Sequence, residues 1–127
     1  MTALADTSLF IAREQNRPIA AAVPDDLSVS TITVGELFLG VILADGPERR
    51  AQRLRTVAFV QSNFEPLPVD EPAAHAWAEL VGALRRSGRR APLNDTWIAA
   101  IAISRGMRVV TQDDDYDAMP GVEVLKV

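Results

Sequence analysis

Residues 3–12 read ALADTSLFIA, a short apolar run that ends at Asp6 and is followed by a second apolar run. The first run is typical of a buried strand, and Thr7 or Ser8 is suited to cap a helix that begins behind it. Residues 107–113, MRVVTQD, repeat this order of an apolar strand that ends at an acid. Both stretches therefore predict strands whose carboxyl ends carry acidic side chains.

Strands and helices alternate along the remainder of the chain. Hydrophobic periodicity and turn residues predict strands at 3–5, 27–30, 107–111 and 122–125, and helices at 9–17, 19–23, 33–44, 48–64, 71–87 and 94–105. Asp70 is the expected N-cap of the helix at 71–87. Strands that are separated by helices pair in parallel. We therefore expect one α/β domain over residues 1–127, with three layers and a central, mostly parallel sheet flanked by helices.

The composition is that of a globular domain, because 48% of the 127 residues are hydrophobic and 24% are charged. The sequence has no Cys, which excludes disulfides, Cys-ligated zinc and thiol nucleophiles. His75 is the only His, which argues against His-rich zinc sites and a Ser-His-Asp triad. No apolar run approaches the roughly 18 residues of a membrane span, and the start is not typical of a signal peptide. We expect a cytoplasmic protein without a membrane partner.

The charges of the chain limit how it can contact nucleic acid. There are 17 acidic and 13 basic residues, a net charge of −4, which argues against a surface that coats nucleic acid as a whole. Lys126 is the only Lys, and Arg residues cluster at 49–55 and at 85–90. Because guanidinium groups bind phosphate well, these clusters allow local contact with nucleic acid; the alternative is that they are solvated helix faces.

Four acids occupy equivalent places at predicted strand ends and helix starts: Asp6, Glu36, Asp95 and Asp113. In an open parallel sheet, the carboxyl ends of the strands and the N-termini of the following helices share one edge, where ligands bind. Carboxylates that meet there raise one another's pKa unless a cation offsets their charge. Mg²⁺ accepts carboxylate oxygens and water as ligands, so the four acids predict a divalent-metal site.

Each of these acids also has a purely structural alternative. Asp6 could act only as a helix cap or turn residue, and Glu36 could close a capping box on the backbone amide of Thr33. Asp95 could serve the positive end of its helix, and Asp113 could belong to a solvated acidic turn. The metal-site interpretation is favoured because all four acids are predicted at the same sheet edge.

Five stretches of the chain match one known family in order and in spacing. They are residues 5–8 (ADTS), 30–37 (STITVGEL) with Gly40, 94–100 (NDTWIAA), 109–116 (VVTQDDDY) and 121–125 (GVEVL). On these stretches the chain resembles PIN-domain nucleases, and among them the VapC toxins of bacterial toxin–antitoxin pairs. The match extends over nearly the whole chain, and the set of motifs is more specific than any one of them.

The resemblance implies an endoribonuclease that depends on Mg²⁺ or Mn²⁺ and hydrolyses RNA phosphodiesters through a metal-activated water. It implies a homodimer or a toxin–antitoxin hetero-oligomer, with a cognate VapB-like antitoxin as inhibitor. The matching site residues are Asp6, Glu36, Asp95 and Asp113 as catalytic and metal-ligating acids, Asp115 as a further metal-ligating acid, and Thr111 as a hydroxyl residue that contacts substrate. Among the departures from the family pattern, Gln112 stands where Arg is common and Tyr116 where Phe is common.

Two further sets of contacts follow from helix composition. Trp97 comes shortly after Asp95 and is a candidate for stacking an RNA base; the alternative is packing within the fold. The helix that follows Thr33 is apolar almost all round and therefore needs cover on both sides. We expect the antitoxin to contact this helix at Leu37, Phe38, Val41 and Ile42.

Three other classes of protein match parts of the pattern. A response-regulator receiver needs a Lys at the end of its last core strand, whereas Lys126 has no helix after it. A phosphatase of the haloacid dehalogenase type needs a second acid two residues after the first, where this chain has Ser8. A catalytically silent PIN-like domain that acts as an assembly or binding module remains the alternative, and the four intact acids count against it.

Overall fold

The structure is a computed structural model that describes residues 2–20 and 22–127. Within that part of the chain, four strands and five helices form. The strands are β1 (Ala3–Ala5), β2 (Leu27–Ser28), β3 (Arg108–Thr111) and β4 (Val124–Lys126), and the helices are α1 (Thr7–Glu14), α2 (Thr31–Ile42), α3 (Gly46–Asn63), α4 (Glu71–Arg86) and α5 (Leu93–Ser104). None of the helices in the described ranges combines the length and apolar character needed to cross a membrane.

The four strands form one parallel sheet in the order β2-β1-β3-β4. Leu4 of β1 lies opposite Ser28 on one side and Val109 on the other, so β1 and β3 occupy the centre of the sheet. After β1 the chain forms β2 at one edge of the sheet, and β3 later pairs with the opposite side of β1. Such a crossover places the carboxyl ends of β1 and β3 side by side, at the edge where ligands bind in open parallel sheets.

The two faces of the sheet are covered by different helices. Ala3 and Ala5 belong to a core cluster with apolar residues of α1, α2 and α3, whereas Leu4 belongs to a cluster with residues of α4 and α5. This alternation follows from the pleat, because successive side chains of a strand point to opposite faces. The expected three-layer α/β fold with a parallel central sheet is therefore confirmed.

The helix predicted at 19–23 is wrong. Its described residues, 19–20 and 22–23, are irregular, and Ala21 lies outside the described residues. The segment lies between Pro18 and Pro24, and so short a stretch cannot offset the cost of helix nucleation. Instead the backbone N–H of Ala20 donates to the carbonyl of Val127 at 3.0 Å, which attaches the segment to the end of the chain.

Several element boundaries differ from the sequence prediction by one to three residues, and the structure gives a local reason at three places. Helix α2 begins two residues early, because the hydroxyl of Ser30 caps it by accepting the N–H of Thr33 at 3.2 Å. Residues 45–47 begin α3 and do not close α2, with the proline at a first-turn position that it favours. Strand β4 begins at Val124 because that residue pairs with Val109 of β3.

The N-cap predicted at Asp70 is confirmed, since its carboxylate accepts the N–H of Ala73 at 3.0 Å. Replacing such a cap by Ala costs about 1 kcal/mol of stability. We therefore expect Asp70→Ala to lower the free energy of unfolding by about that amount in urea denaturation.

The matched control is Asp70→Asn, which keeps an oxygen for the cap and removes the charge that faces Arg105 at 3.4 Å. Because a partly exposed ion pair contributes little, we expect the stability of the Asn variant to stay within about 0.3 kcal/mol of the parent's. Equal losses in the two variants would assign the stabilisation to the ion pair.

Candidate functional site

The four acids singled out in the sequence line one cleft at the carboxyl edge of the sheet. Asp6 follows β1, Glu36 lies in α2, Asp95 lies in the first turn of α5 and Asp113 follows β3. The cleft has a volume of about 260 Å³ and is lined by these acids together with Thr7, Ser8, Ile11 and Arg17. Residues from four separate segments of the chain therefore meet because the parallel sheet brings its strand ends together.

Asp6 is the most firmly held of the acids. Its side chain is buried, with the residue only 2% exposed. One carboxylate oxygen, Oδ2, accepts the hydroxyl of Thr111 at 2.9 Å and the N–H of Ser8 at 3.4 Å, and Oδ1 accepts the hydroxyl of Tyr116 at 2.8 Å. Donors on both oxygens fix the carboxylate in one orientation.

Asp6, and not Thr7 or Ser8, is also the N-cap of α1. The sequence prediction placed the cap one or two residues too late. The carboxylate satisfies the helix N-terminus through the N–H of Ser8 while it lines the cleft. The cap interpretation and the metal-site interpretation of Asp6 therefore describe the same side chain and do not exclude one another.

Thr111 orients two of the acids and does not face the solvent. It is fully buried, donates its hydroxyl to Asp6, and accepts the backbone N–H of Asp113 at 2.9 Å. Its expected contact with substrate is therefore wrong, because a residue without exposed surface cannot touch RNA. The hydroxyl instead fixes the position of Asp6 relative to the start of the turn that carries Asp113.

Glu36 is held at the cleft by side chains from two other elements. Its Oε1 accepts the hydroxyl of Thr7 at 2.7 Å, and its Oε2 accepts the amide of Asn94 at 3.4 Å. The capping-box alternative is not observed, because the N–H of Thr33 bonds to Ser30. Glu36 is thus free of the helix backbone and directed toward the cleft.

The acidic turn after β3 divides into two pairs. Asp113 lines the cleft, and the charge of Asp115 acts on Asp95. Asp114 and Asp117 instead contact the ammonium group of Lys126. The solvated-turn alternative therefore describes Asp114 and Asp117, whereas Asp113 lines the cleft and Asp115 lies close enough to raise the pKa of Asp95.

Burial, together with the charges of neighbouring acids, raises the pKa of two of the acids. Burial raises the pKa of Asp95 to about 7, with further contributions from the charge of Asp6, from hydrogen bonding and charge of Asp115, and from Glu36. Burial, followed by the charges of Asp6 and Asp115, also raises the pKa of Asp113, and Arg17 opposes this shift. The cleft therefore concentrates negative charge that its own cation offsets only in part.

Sequence reasoning missed Tyr116 and Arg17. Tyr116 is fully buried, and its pKa is raised by burial and then by the charges of Asp6 and Asp95, so its hydroxyl remains a donor. The signal for it was a tyrosine where phenylalanine is common, because a buried phenol needs a hydrogen-bond partner. Arg17 is exposed in an irregular segment and reaches the cleft, and nothing in the local sequence indicates this.

Trp97 packs within the fold. Its ring stacks on that of Trp77, with centroids 4.5 Å apart and planes 8° from parallel, and the indole N–H of Trp77 donates to Thr96 at 3.2 Å. The described residues that line the cleft do not include Trp97. The packing alternative therefore holds, and the base-stacking prediction is wrong for the ring face that Trp77 covers.

Helix α2 divides its apolar residues between two faces. Leu37 and Val41 are buried in the core cluster, whereas Phe38 is 40% and Ile42 73% exposed. Leu39 and the C-cap residue Leu43 extend the exposed side, and we call Phe38, Leu39, Ile42 and Leu43 together the outer apolar face of α2. The helical period puts positions 37 and 41 on one side. Of the four expected antitoxin contacts, Leu37 and Val41 are therefore corrected to core residues.

The carboxylate oxygens of the cleft are suitable ligands for a hard divalent cation. Carboxylate oxygens are the ligands of Mg²⁺ and Mn²⁺, and the charge that raises the pKa of Asp95 is the charge that such an ion offsets. Within residues 2–20 and 22–127, no three acidic or histidine side chains are already grouped as a ligand set. The hydrogen bonds to Asp6 fix its carboxylate. A complete set of metal ligands would therefore require the more exposed acids to turn toward Asp6.

Comparison with known proteins agrees with this geometry. The family model of the PIN domain matches residues 3–122. The chain belongs to the PIN-domain family, and its relatives place it in the VapC group. It is 49% identical to Ribonuclease VapC4 and 47% identical to Ribonuclease VapC5, both of Mycobacterium tuberculosis, over 98% and 96% of this chain and 96% and 93% of those proteins.

A solved structure gives the same result for the fold. The crystal structure of VapBC-5, a member of the VapBC family of toxin–antitoxin systems from Mycobacterium tuberculosis, superposes with a TM-score of 0.87. The sequence identity is 43%, and the match covers 99% of this chain and 98% of that one. The resemblance inferred from the sequence motifs is confirmed.

The raised pKa of Asp95 predicts a pH-dependent loss of stability in metal-free buffer. The unfolded chain releases this proton near the ordinary value of 3.8, and the folded chain does so only near pH 7. Between these values the unfolded state binds fewer protons, so stability falls as the pH rises. Asp95→Asn lacks this titration, and we expect its Tm relative to the parent to increase from pH 4.5 to 7.5.

The measurement is thermal unfolding in EDTA at several pH values. Glu79→Gln, which removes an exposed carboxyl outside the cleft, controls for the loss of one negative charge. A Tm difference between Asp95→Asn and the parent that does not change with pH would contradict the assignment of the repulsion to Asp95.

Proposed function

We propose that this chain is the toxin of a type II toxin–antitoxin system and an endoribonuclease that depends on Mg²⁺ or Mn²⁺, acting on RNA in the cytoplasm as a single PIN domain over residues 1–127. The observation that carries the proposal is the cleft of four acids, in which the pKa of Asp95 is raised to about 7. The relatives named Ribonuclease VapC4 and VapC5 support the reaction class. The carboxylate donors support the cofactor.

In this proposal the acids have different duties. Asp6 and Asp95 would be the principal ligands of the ion, and Glu36, Asp113 and Asp115 would be its further ligands. When bound, the ion supplies a water of lowered pKa for attack on the phosphodiester and positive charge at the phosphate. Asp6 needs no reorientation, because its hydrogen bonds already hold it.

Neighbouring side chains keep the remaining acids in place. Thr7 holds Glu36 by a hydrogen bond of 2.7 Å, and Thr111 holds the backbone of Asp113.

Asp95 carries a proton below about pH 7 in the metal-free chain, and it must release that proton to act as a ligand. Binding of the ion is therefore expected to strengthen as the pH rises toward 7.

Arg17 is the group best placed to contact the substrate. It lines the cleft beside the acids, and its charge opposes the raised pKa of Asp113. A guanidinium binds phosphate oxygens through paired hydrogen bonds. With a net charge of −4 on the chain, such local contact is how an RNA backbone approaches an acidic site.

The proposed reaction is tested with purified protein and RNA, in Mg²⁺ or Mn²⁺ and in EDTA. We expect cleavage with metal and none with EDTA. Asp95→Asn should reduce the cleavage rate by roughly a hundredfold or more, because it removes a ligand charge. It is a cleaner variant than Asp6→Asn, since the Asp6 carboxylate also accepts buried hydrogen bonds on which the fold depends.

Glu79→Gln is the control and should cleave at the parental rate. Equal cleavage in metal and in EDTA would contradict the metal mechanism. A folded parent that cleaves no RNA with either ion would favour the silent assembly or binding module instead.

We also propose that a VapB-like antitoxin is the partner and inhibitor of this chain. Support comes from the similar structure, which is described as a member of the VapBC family of toxin–antitoxin systems. The outer apolar face of α2 offers exposed Phe38 and Ile42 to an amphipathic segment. An Arg of the antitoxin, placed in the acidic cleft, would offset the same charge as the ion.

We also propose that the free toxin is a homodimer.

We expect Phe38→Asp to weaken antitoxin binding at least tenfold, because it puts a charge into an apolar contact. Reversing the charge of the antitoxin's Arg should release the nuclease activity. Binding is measured by calorimetry with the cognate antitoxin, and Val69→Asp, which changes an exposed apolar residue elsewhere, is the control. Unchanged binding by Phe38→Asp, with altered self-association, would assign this face to the dimer.

A further inference from the structure

The hydroxyl of Tyr116 lies between two acids of the cleft. It donates to Oδ1 of Asp6 at 2.8 Å, and its oxygen is 3.4 Å from Oδ1 of Asp95. The three residues come from different parts of the fold: Asp6 follows β1, Asp95 lies in the first turn of α5, and Tyr116 lies between β3 and β4. One buried hydroxyl therefore connects the two carboxylates that the proposed function makes principal ligands.

The ring of Tyr116 cannot move away from this position. It is fully buried in the core cluster with Leu4, Ile98 and Val109, which belong to the central strands and to α5. Protein interiors are close-packed, so a ring held on all sides fixes the position of its hydroxyl. The phenol oxygen is thus a fixed point for Asp6 and for the first turn of α5.

A single hydroxyl proton can serve only one acceptor at a time. The hydroxyl donates to Asp6 at 2.8 Å, and Asp95 at 3.4 Å is the second and weaker acceptor for the same proton. The carboxyl groups of Asp6 and Asp95 are in this way separated by one polar atom that bonds to the first and contacts the second. Thr111 holds Asp6 from its other oxygen and does not contribute to this separation.

We propose that Tyr116 is a positioning residue that sets the separation of Asp6 and Asp95 for the divalent cation. The inference rests on the proposed metal-dependent function. A phenylalanine at this position would fill the same space without the hydroxyl. Hydrogen bonds to ligating groups typically contribute 10- to 100-fold to metal affinity, so this oxygen tunes the affinity of the cleft in this chain.

The first experiment measures the binding of Mn²⁺ to the full chain without antitoxin or RNA. The concentration of free ion is determined from its electron paramagnetic resonance signal. Tyr116→Phe removes only the hydroxyl, and we expect the Kd for Mn²⁺ to rise about tenfold. In cleavage assays at fixed Mn²⁺ below saturation, kcat should fall while the KM for RNA stays the same. Val60→Ala, in the other core cluster, is the matched control for lost stability and should leave the Kd unchanged.

The second experiment uses the fact that Tyr116 is the only tyrosine of the chain. Carbon-13 at the ring carbon that bears the hydroxyl then gives one nuclear magnetic resonance signal, from this site alone. We expect Mg²⁺ to shift this signal in the parent, because the hydrogen bonds of the hydroxyl change when Asp6 and Asp95 bind the ion. This readout needs no variant, so it applies even where Tyr116→Phe fails to fold.

The outcomes separate this inference from the proposed function. A parent that binds Mn²⁺, together with a folded Tyr116→Phe variant of equal Kd, overturns the role of Tyr116 and leaves the metal site standing. A tyrosine signal that is insensitive to saturating Mg²⁺ overturns it as well. A parent that binds neither ion contradicts the proposed function itself.

Discussion

The buried carboxylate of Asp6 is the group on which both the fold and the site depend. Burial of an ionised carboxyl is costly unless donors replace the lost water. Here the donors are the N–H of Ser8, the hydroxyl of Thr111 and the hydroxyl of Tyr116. They connect the start of α1, the end of β3 and the segment before β4. The contacts that order the carboxyl edge of the sheet are therefore the same contacts that prepare the site.

Repulsion among the acids is the second consequence of this arrangement. Asp95 and Asp113 have raised pKa values because burial and the charge of Asp6 disfavour their ionised forms. A fold selected only for stability would avoid such a cluster, and functional sites often lower stability in this way. The helix N-termini offset part of this repulsion, because they favour negative charge. Asp6 caps α1, and Asp95 lies in the first turn of α5.

Helix α2 shows how one element serves the core, the site and the surface together. Leu37 and Val41 pack into the core, Glu36 reaches the cleft, and Phe38 and Ile42 remain exposed. Because these duties fall on different sides of one helix, a change at the outer apolar face leaves the acids where they are. The proposed antitoxin contact and the proposed chemistry at the cleft can thus be altered by separate substitutions.

The sequence by itself determined the parallel α/β architecture, the Asp70 cap and the arrival of four acids at one sheet edge. These follow from local periodicity, capping chemistry and the geometry common to parallel sheets. Only the tertiary structure decided that residues 19–20 and 22–23 are irregular, that Leu37 and Thr111 are buried, and that Trp97 stacks on Trp77. It alone decided the place of Tyr116, whose hydroxyl meets a carboxylate 110 positions earlier in the chain. Such contacts depend on how distant elements pack, and no local pattern of residues encodes that distance.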